Sequence, residues 1–349
     1  MDFETIREAL ASDNGPHMRI MEICGSHTDA IAKNGIPSIL NERITLLTGP
    51  GCPVCVATSS YIDRLVEIAS EGTTVVTFGD LIRVPGSQKS LEEARGTGAQ
   101  VEMVYSPMDI LSMAVAEPER EFVFAAVGFE TTAPVYSLLI EEMISQGIKN
   151  IKLLTAMKTM PAAVEYMMSG GSPVDGFLAP GHVCVVTGAD VFAPIAEKYG
   201  IPFAVSGFHG RELMAALYSL QENAGRGVVK NCYPAVVSGE GNVKAWNSVM
   251  KYFEHGDAAW RGLGVIPESG LYLREEYRKY DAGSFHLDSD TKKNKACHCD
   301  KILTGREKPA DCPLFAKTCH PGNPQGACMV STEGSCYSAF VHKKFTKNC

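Results

Sequence analysis

Short apolar runs recur along the first two thirds of the chain, separated by longer stretches with helical spacing. Most of these runs are rich in Val, Ile, Leu and Phe without strict polar alternation, which is typical of strands buried on both faces. The predicted strands are residues 19–23, 44–48, 73–78, 101–105, 122–127, 151–156, 176–178 and 203–206.

The stretches between these strands predict helices. Residues 133–146 place four apolar side chains on one side and end near Gly147, and residues 161–169 and 210–220 also have a helical pattern. Strands that alternate with helices predict an α/β fold with parallel sheets and right-handed crossovers.

Eight strands make either one wide sheet or two sheets of four. The charged segment 113–121 is the best candidate for a linker, so we predict two parallel-sheet α/β domains, residues 1–117 and 118–238. This division rests on the order of the elements, since no sequence repeat supports it.

The last hundred residues differ in pattern, and we predict a small C-terminal domain over residues 239–349. Residues 241–254 and 268–280 predict short helical pieces. From Lys292 onward the chain is polar and rich in Lys, Gly, Pro and Cys. A segment with so few apolar side chains needs a bound metal or cluster to fold.

Composition narrows the class of protein. The 349 residues are 45% hydrophobic and 21% charged, which is ordinary for a globular protein. The net charge of −8 provides no basic field for nucleic acid. No apolar run approaches the roughly 18 residues of a membrane helix, and the first residues are acidic rather than typical of a signal peptide. We therefore expect a cytoplasmic protein that binds neither nucleic acid nor membrane.

Twelve cysteines are the unusual feature, and six of them lie between Cys297 and Cys336. In a reducing compartment, clustered cysteines are more often metal ligands or catalytic groups than disulfides.

Residues able to do chemistry follow six of the predicted strands. In open α/β sheets, ligands bind beyond the carboxyl ends of the strands, so this pattern predicts a functional cleft. The segments that follow the strands are residues 24–28, 49–55, 79–80, 128–132, 179–182 and 207–210.

Cys24 and His27 form a Cys-x-x-His motif at a predicted helix start. The helix N-terminus and a nearby imidazole both favour a thiolate at Cys24, which can act as a nucleophile or as a soft iron ligand. The alternative is an inert buried cysteine, which is a common role for this residue.

Cys52 and Cys55 form a Cys-x-x-Cys motif in a tight loop. The motif indicates a redox dithiol or half of a zinc site. The N-terminal half offers only Cys24 as a further thiol, so we favour the redox interpretation.

Three further residues are weaker candidates. Glu130 is either a general acid or base or the cap of the helix that begins near residue 131. His182 and His209, in two other loops of the cleft, are by themselves more typical of structural histidines.

The C-terminal cysteines have a spacing that is unusual for zinc. The gaps between Cys297, Cys312, Cys319 and Cys336 are 15, 7 and 17 residues, unlike the paired knuckles of a zinc ribbon. Prolines close to Cys312 and Cys319 are typical of loops around an iron–sulfur cluster. A [4Fe–4S] cluster is the natural candidate, and zinc is the alternative.

Taken together, these motifs resemble the HypD family of hydrogenase maturation proteins. The matching segments are Cys-Gly-Ser-His-Thr at 24–28, Gly-Pro-Gly-Cys-Pro-Val-Cys at 49–55, Phe-Gly-Asp at 78–80, Gly-Phe-Glu-Thr-Thr-Ala-Pro at 128–134, Pro-Gly-His-Val at 180–183, Asp-Cys-Pro-Leu-Phe at 311–315 and Met-Val-Ser-Thr-Glu-Gly at 329–334.

The resemblance implies a function in building the iron centre of [NiFe]-hydrogenases, an Fe(II) that carries two cyanides and one carbon monoxide. It implies a complex with the small chaperone HypC, cyanide supplied by HypE, and the hydrogenase large subunit as the indirect recipient. It also implies two α/β domains followed by a cluster-bearing C-terminal domain.

The resemblance further implies roles for individual residues. Cys24 is expected to be an iron ligand, shared with a cysteine of the small partner, and Cys52 and Cys55 to be a redox-active pair. The expected [4Fe–4S] ligands are Cys297, Cys312, Cys319 and Cys336. No role is assigned to Cys184, Cys232, Cys299, Cys328 or Cys349, or to His209, which stands where the family often has an acidic residue.

Two hypotheses compete with this assembly factor. The first is a free-standing iron–sulfur thiol–disulfide oxidoreductase, which needs the Cys52 and Cys55 pair but not Cys24. The second is a zinc-stabilised binding protein without redox chemistry.

Overall fold

Residues 2–12, 14–291 and 294–342 are described by a computed structural model, and their strands form two sheets. The strands are β1 (Met18–Glu22), β2 (Ile44–Thr48), β3 (Thr74–Thr77), β4 (Val101–Met103), β5 (Phe122–Gly128), β6 (Ile151–Lys158), β7 (Gly176–Pro180), β8 (Phe203–Ser206), β9 (Val229–Asn231), β10 (Phe253–Trp260) and β11 (Gly264–Leu273).

Helices cover and connect these strands, and none in the described part of the chain is long and apolar enough to cross a membrane. They are α1 (Phe3–Ala11), α2 (Gly25–Lys33), α3 (Ser59–Ser70), α4 (Leu91–Arg95), α5 (Asp109–Ala116), α6 (Ala133–Ser145), α7 (Met160–Ser169), α8 (Gly181–Thr187), α9 (Ala193–Tyr199), α10 (Gly210–Glu222), α11 (Val243–Tyr252), α12 (Cys299–Leu303) and α13 (Ser335–Val341).

The first sheet, sheet A, is entirely parallel, with the strand order β2-β1-β7-β8-β9. The predicted α/β class and all eight predicted strands are confirmed, as are the predicted helices that correspond to α6, α7 and α10. Every residue of β7 and β8 is buried, in agreement with their continuous apolar runs.

The second sheet, sheet B, is mixed, so the prediction of parallel sheets throughout was wrong. Its order is β10-β11-β6-β5-β3-β4. Strands β3 to β6 are parallel, but β11 runs antiparallel to β6 and forms a hairpin with β10. The hairpin was missed because residues 268–280 were predicted to contain a helical piece, and only Glu275–Tyr280 forms one, a 3₁₀ helix.

The two sheets take strands from alternating parts of the chain, and sheet membership does not follow the predicted ranges 1–117 and 118–238. Strands β1 and β2 join sheet A, β3 to β6 join sheet B, and β7 to β9 return to sheet A. The predicted linker 113–121 lies between β4 and β5, two strands of the same sheet, and the domain boundary placed there stays a prediction. Which strands pair is decided by long-range packing, which the linear order of elements does not reveal.

The C-terminal residues pack into a core that also belongs to both sheets. One buried cluster contains Leu47 of β2, Val123 of β5 and Cys312. The hairpin within the predicted range 239–349 is part of sheet B. The described tail therefore packs against the α/β layers, and a separate iron–sulfur domain stays a prediction.

We predict that replacing Arg261 by Met lowers the free energy of unfolding by about 3 kcal/mol, measured by urea denaturation. Arg261 follows β10 and is buried, and its guanidinium donates to the carbonyls of Ala57 and Pro85. The variant leaves both carbonyls without this donor. Arg7→Met, at an exposed ion pair on α1, is the matched control and should change stability by less than about 0.5 kcal/mol. Equal effects at both positions would contradict this account of Arg261.

Candidate functional site

The loops that follow β1 and β2 meet in direct backbone contact. These strands are parallel neighbours, with Glu22 paired to Thr48 at their carboxyl ends. A Cβ atom on Gly51 would lie 2.3 Å from the backbone nitrogen of Cys24, so only glycine permits this approach. The nitrogen of Gly25 donates to the Gly51 carbonyl at 2.9 Å. Cys24 is therefore held against the loop that carries Cys52 and Cys55.

Cys24 is the N-cap residue of α2 and is buried, with 9% of its surface exposed. Burial, together with the nearby carboxyl groups of Glu22 and Glu333, raises the pKa of its thiol to about 12. The expected thiolate is therefore not favoured in this conformation, because the loss of hydration outweighs the helix N-terminus. Deprotonation requires a bound cation or a more open structure.

His27 is completely buried, and burial lowers the pKa of its imidazole to about 4. Its Nε2 atom lies 3.3 Å from the Ser206 carbonyl and 3.1 Å from the Gly207 carbonyl, so it donates to the loop after β8. Its Nδ1 atom has no hydrogen-bond partner among the described residues. A neutral ring cannot supply the positive charge expected to stabilise a Cys24 thiolate, and a catalytic role for His27 stays a prediction.

Glu22 is a residue of the site that the sequence patterns did not reveal. Its carboxyl group is buried at the end of β1, accepts the Cys24 backbone N–H at 2.9 Å and accepts the Thr28 hydroxyl. Burial raises its pKa well above 4.5. The feature of the sequence that could have revealed Glu22 is an acidic residue at the last position of a buried strand.

Cys52 and Cys55 are joined by a disulfide, with their Cα atoms 5.2 Å apart. Both residues are buried, and the Cys55 sulfur lies 3.9 Å from the Ala327 carbonyl oxygen of the C-terminal region. The predicted pair is thus present and is in contact with the tail.

The four cysteines expected to hold a cluster come together in the tail. Cys312, Cys319 and Cys336 are buried and Cys297 is half-buried. Cys336 interacts electrostatically with the other three, and Cys319 with Cys297 and Cys312. Burial and these neighbouring sulfurs raise the pKa of Cys336 well above 9.

Cys299 and Cys328, which the sequence left unassigned, form a second close pair of sulfurs. Their Sγ atoms are 2.8 Å apart and both residues are buried. Cys299 also interacts with Cys297, so all six tail cysteines belong to one group. Among residues 2–12, 14–291 and 294–342, no three His, Cys, Asp or Glu side chains are arranged to hold a single metal ion.

Glu130 lies just after β5 and is buried. Its Oε1 atom accepts the Met160 backbone N–H at 2.8 Å, so it caps α7 and not α6, whose N-cap residue is Thr132. Within the part of the chain that the structure describes, its Oε2 atom has no hydrogen-bond partner. Burial raises the pKa of this carboxyl group to about 7, near the value that suits a general acid or base.

The remaining candidates lie at the same sheet edges. His182 stacks on Phe208 with ring centres 4.0 Å apart, and the His27 ring lies 4.7 Å from the same phenyl ring. His209 begins α10, and its backbone N–H donates to Glu212 at 3.1 Å. Cys184 is fully buried and interacts electrostatically with Glu130 and Cys24. Cys349 lies outside the described residues.

Two clefts open beside these loops. One, of about 370 Å³, is lined by residues of the disulfide loop, the end of β3 and the tail, among them Val54, Asp80 and Glu333. The other, of about 750 Å³, runs along α2 and is lined by Ser26, Phe208 and, again, Glu333. Glu333 therefore lies between the two clefts.

Comparison with known proteins identifies one family. The HypD model, described as the hydrogenase formation hypA family, matches residues 3–343. The hydrogenase maturation factor HypD of Azotobacter vinelandii is 41% identical over 349 aligned residues, covering 96% of this chain and 92% of the relative. The HypD of Escherichia coli K12 is 40% identical over 337, covering 94% and 90%, and that of Cupriavidus necator is 39% identical over 345, covering 95% and 91%.

We expect Glu130 to make folding stability fall as the pH rises. A carboxyl group whose pKa is raised on folding stabilises the folded state fully below its unfolded pKa of 4.5, and this contribution is lost as the pH rises through about 7. The difference between these two pKa values corresponds to about 3 kcal/mol of folding free energy. Urea denaturation between pH 4.5 and 7.5 should show this loss in the wild type and not in Glu130→Gln, while the exposed Glu119→Gln control follows the wild type. If the stability of the wild type and that of Glu130→Gln changed with pH in parallel, this role of Glu130 would be refuted.

Proposed function

This chain belongs to the HypD family of hydrogenase maturation factors, and from that premise we propose that it assembles the iron centre of [NiFe]-hydrogenases. Its product in this proposal is an Fe(II) that carries two cyanides and one carbon monoxide. The observation that carries the proposal is the meeting of the Cys24 thiol, the Cys52–Cys55 disulfide and the cysteine-rich tail at neighbouring loops. Each of these parts has a distinct role in the proposed assembly.

Cys24 is the proposed protein ligand of the iron, which is the cargo of the reaction. Cyanide and carbon monoxide favour low-spin Fe(II), and a soft thiolate suits such a centre. Because the thiol is protonated in the buried site, iron binding releases a proton. The Glu22 carboxyl group, which accepts the Cys24 N–H, holds the residue in place during this exchange.

The tail is the proposed site of a resident [4Fe–4S] cluster. The donor set fits because six sulfurs converge there, and the resemblance to the family implies that Cys297, Cys312, Cys319 and Cys336 are the four ligands. Thiolates around such a cluster lie farther apart than those around one zinc ion, which agrees with a group that forms no single-ion site among the described residues. When bound, such a cluster supplies or takes up single electrons.

The Cys52–Cys55 disulfide is the proposed redox partner of this region. The Ala327 carbonyl, directly before Cys328 in the chain, contacts the Cys55 sulfur. Two sulfur pairs that lie near each other in space, although they are far apart along the chain, also favour the second candidate function, an iron–sulfur thiol–disulfide oxidoreductase. Only the assembly factor requires Cys24.

We further propose that the small chaperone HypC and the cyanide donor HypE act on this chain, with the hydrogenase large subunit as the final recipient. The cleft of about 750 Å³ beside α2 supports this, because it offers room for a partner's cysteine to approach Cys24 next to Ser26. A shared iron then has one thiolate from each protein.

We predict that Cys24→Ala removes the infrared bands of Fe–cyanide and Fe–carbonyl from the complex purified with the small partner. The expected loss is complete, because alanine takes away the soft ligand while the fold is retained. Cys232→Ala, a half-buried cysteine in the loop after β9, is the matched control and should keep both sets of bands. Wild-type band intensity in Cys24→Ala would favour the oxidoreductase.

The tail makes a separate prediction. The double variant Cys312→Ser/Cys319→Ser should lose the visible absorption of the cluster and its bound iron and sulfide, and its residues beyond about 294 should exchange amide hydrogens faster. Ligation supplies folding free energy where apolar side chains are few. Absorption spectra and iron analysis of both proteins provide the test. A colourless wild type with stoichiometric zinc would instead support the zinc hypothesis.

A further inference from the structure

One short segment of the tail touches three of the sulfur sites. Residues 327–334, here called the strap, begin with the 3₁₀ helix Ala327–Met329. The Ala327 carbonyl lies 3.9 Å from the Cys55 sulfur, and the Cys328 sulfur lies 2.8 Å from that of Cys299. The far end of the strap, at Glu333, reaches the start of α2 next to Cys24.

Glu333 is fixed to the start of α2 by a hydrogen bond and by close packing. The Ser26 hydroxyl donates to its Oε1 atom at 2.7 Å. A Cβ atom on Gly25 would lie 2.4 Å from the Glu333 Cβ and 2.6 Å from its carbonyl oxygen, so the strap rests directly on the residue that follows Cys24. The strap therefore lies close to Cys24, and Glu333 interacts electrostatically with its thiol.

The strap is folded on itself, so its two ends are linked. The Val330 nitrogen donates to the Ala327 carbonyl, and the Gly334 nitrogen to the Ser331 carbonyl, both at 2.9 Å. A Cβ atom on Gly334 would lie 2.2 Å from the Cys328 carbonyl oxygen. A displacement of Glu333 is therefore transmitted toward Cys328.

The closed arrangement also contains repulsion. Glu333 interacts electrostatically with the carboxyl group of Asp80, and the two carboxylates repel each other when both are charged. Glu333 also lines both clefts and forms the partition between them. A single hydrogen bond opposed by like charges is a contact that a ligand or partner can break.

We propose that Glu333 and Ser26 form a latch that holds the strap over Cys24, and that its release gives iron and a partner protein access to the thiol. The inference rests on the proposed role of Cys24 as an iron ligand. In it Glu333 is a positioning residue, since it acts on Cys24 through the strap and through the start of α2.

The test measures, by peptide mass spectrometry, the rate at which a maleimide alkylates Cys24 in the full chain as purified, with no iron added for Cys24. Ser26→Ala and Glu333→Ala should each raise this rate about tenfold or more, as expected for loss of one hydrogen bond to a carboxylate. The double variant should react no faster than either single variant, because both remove the same contact. Glu333→Gln keeps an acceptor oxygen for Ser26 and loses the repulsion, so it should react no faster than the wild type.

Two other cysteines serve as internal references in the same digest. Cys232 is half-buried and should react alike in all variants, and Cys184 is fully buried and should stay protected. Gly25→Ala is an independent way to displace the strap, because its methyl group pushes Glu333 away while the Ser26 hydroxyl and the Glu333 carboxylate are both retained. It should also expose Cys24 selectively.

Several outcomes would overturn the latch. Unchanged labelling of Cys24 in Ser26→Ala and Glu333→Ala would show that the contact does not control access. Faster labelling of Cys184 together with Cys24 would show that the contact supports the fold as a whole. If Glu333→Gln reacted as fast as Glu333→Ala, the hydrogen bond between Ser26 and Glu333 would be excluded as the contact that controls access to Cys24. No iron is added for Cys24 in this assay, so these results are independent of the infrared test of Cys24.

Discussion

The shared core between the two sheets and the cysteine-rich tail is the constraint on which the rest of the structure depends. The tail is poor in apolar side chains, yet Cys312, Cys328 and Cys336 are buried in the same cluster as residues of β2 and β5. This packing brings the strap to the carboxyl ends of the strands, where Cys24 and the Cys52–Cys55 disulfide lie. The sites are close because the tail has no independent core to fold around.

Burial also sets the protonation of the site. The thiol of Cys24, the imidazole of His27 and the carboxyl groups of Glu22 and Glu130 are all shifted toward their neutral forms, with desolvation as the main cause in each case. A cluster of neutral groups around a buried thiol avoids the high free energy of unpaired charges in a medium of low polarity.

Local patterns in the sequence predicted the elements well and their pairing poorly. The runs at 44–48 and 203–206 are strands with those bounds, and the second of them is fully buried, as a continuous apolar run predicts. The hairpin of β10 and β11 was missed, since β11 contains Pro267 and the charged Glu268 and is stabilised by its neighbours. Cys24, Cys52 and Cys55 were found from motifs, and they do lie together. Glu22 and the Cys299–Cys328 contact depend on packing between distant segments, which no local pattern encodes.

A protonated thiol suits a protein that must give its metal away. For the proposed iron ligand, raising the pKa from 9.0 to about 12 makes protons compete more strongly with the metal. Below both values this shift leaves a smaller fraction of the thiol ionised, so the thiol must lose a proton before iron binds. An assembly factor has to pass the finished centre to another protein, so a weakly held iron is an advantage there. Closing the strap over Cys24 restores the buried, protonated thiol and thus favours release over rebinding.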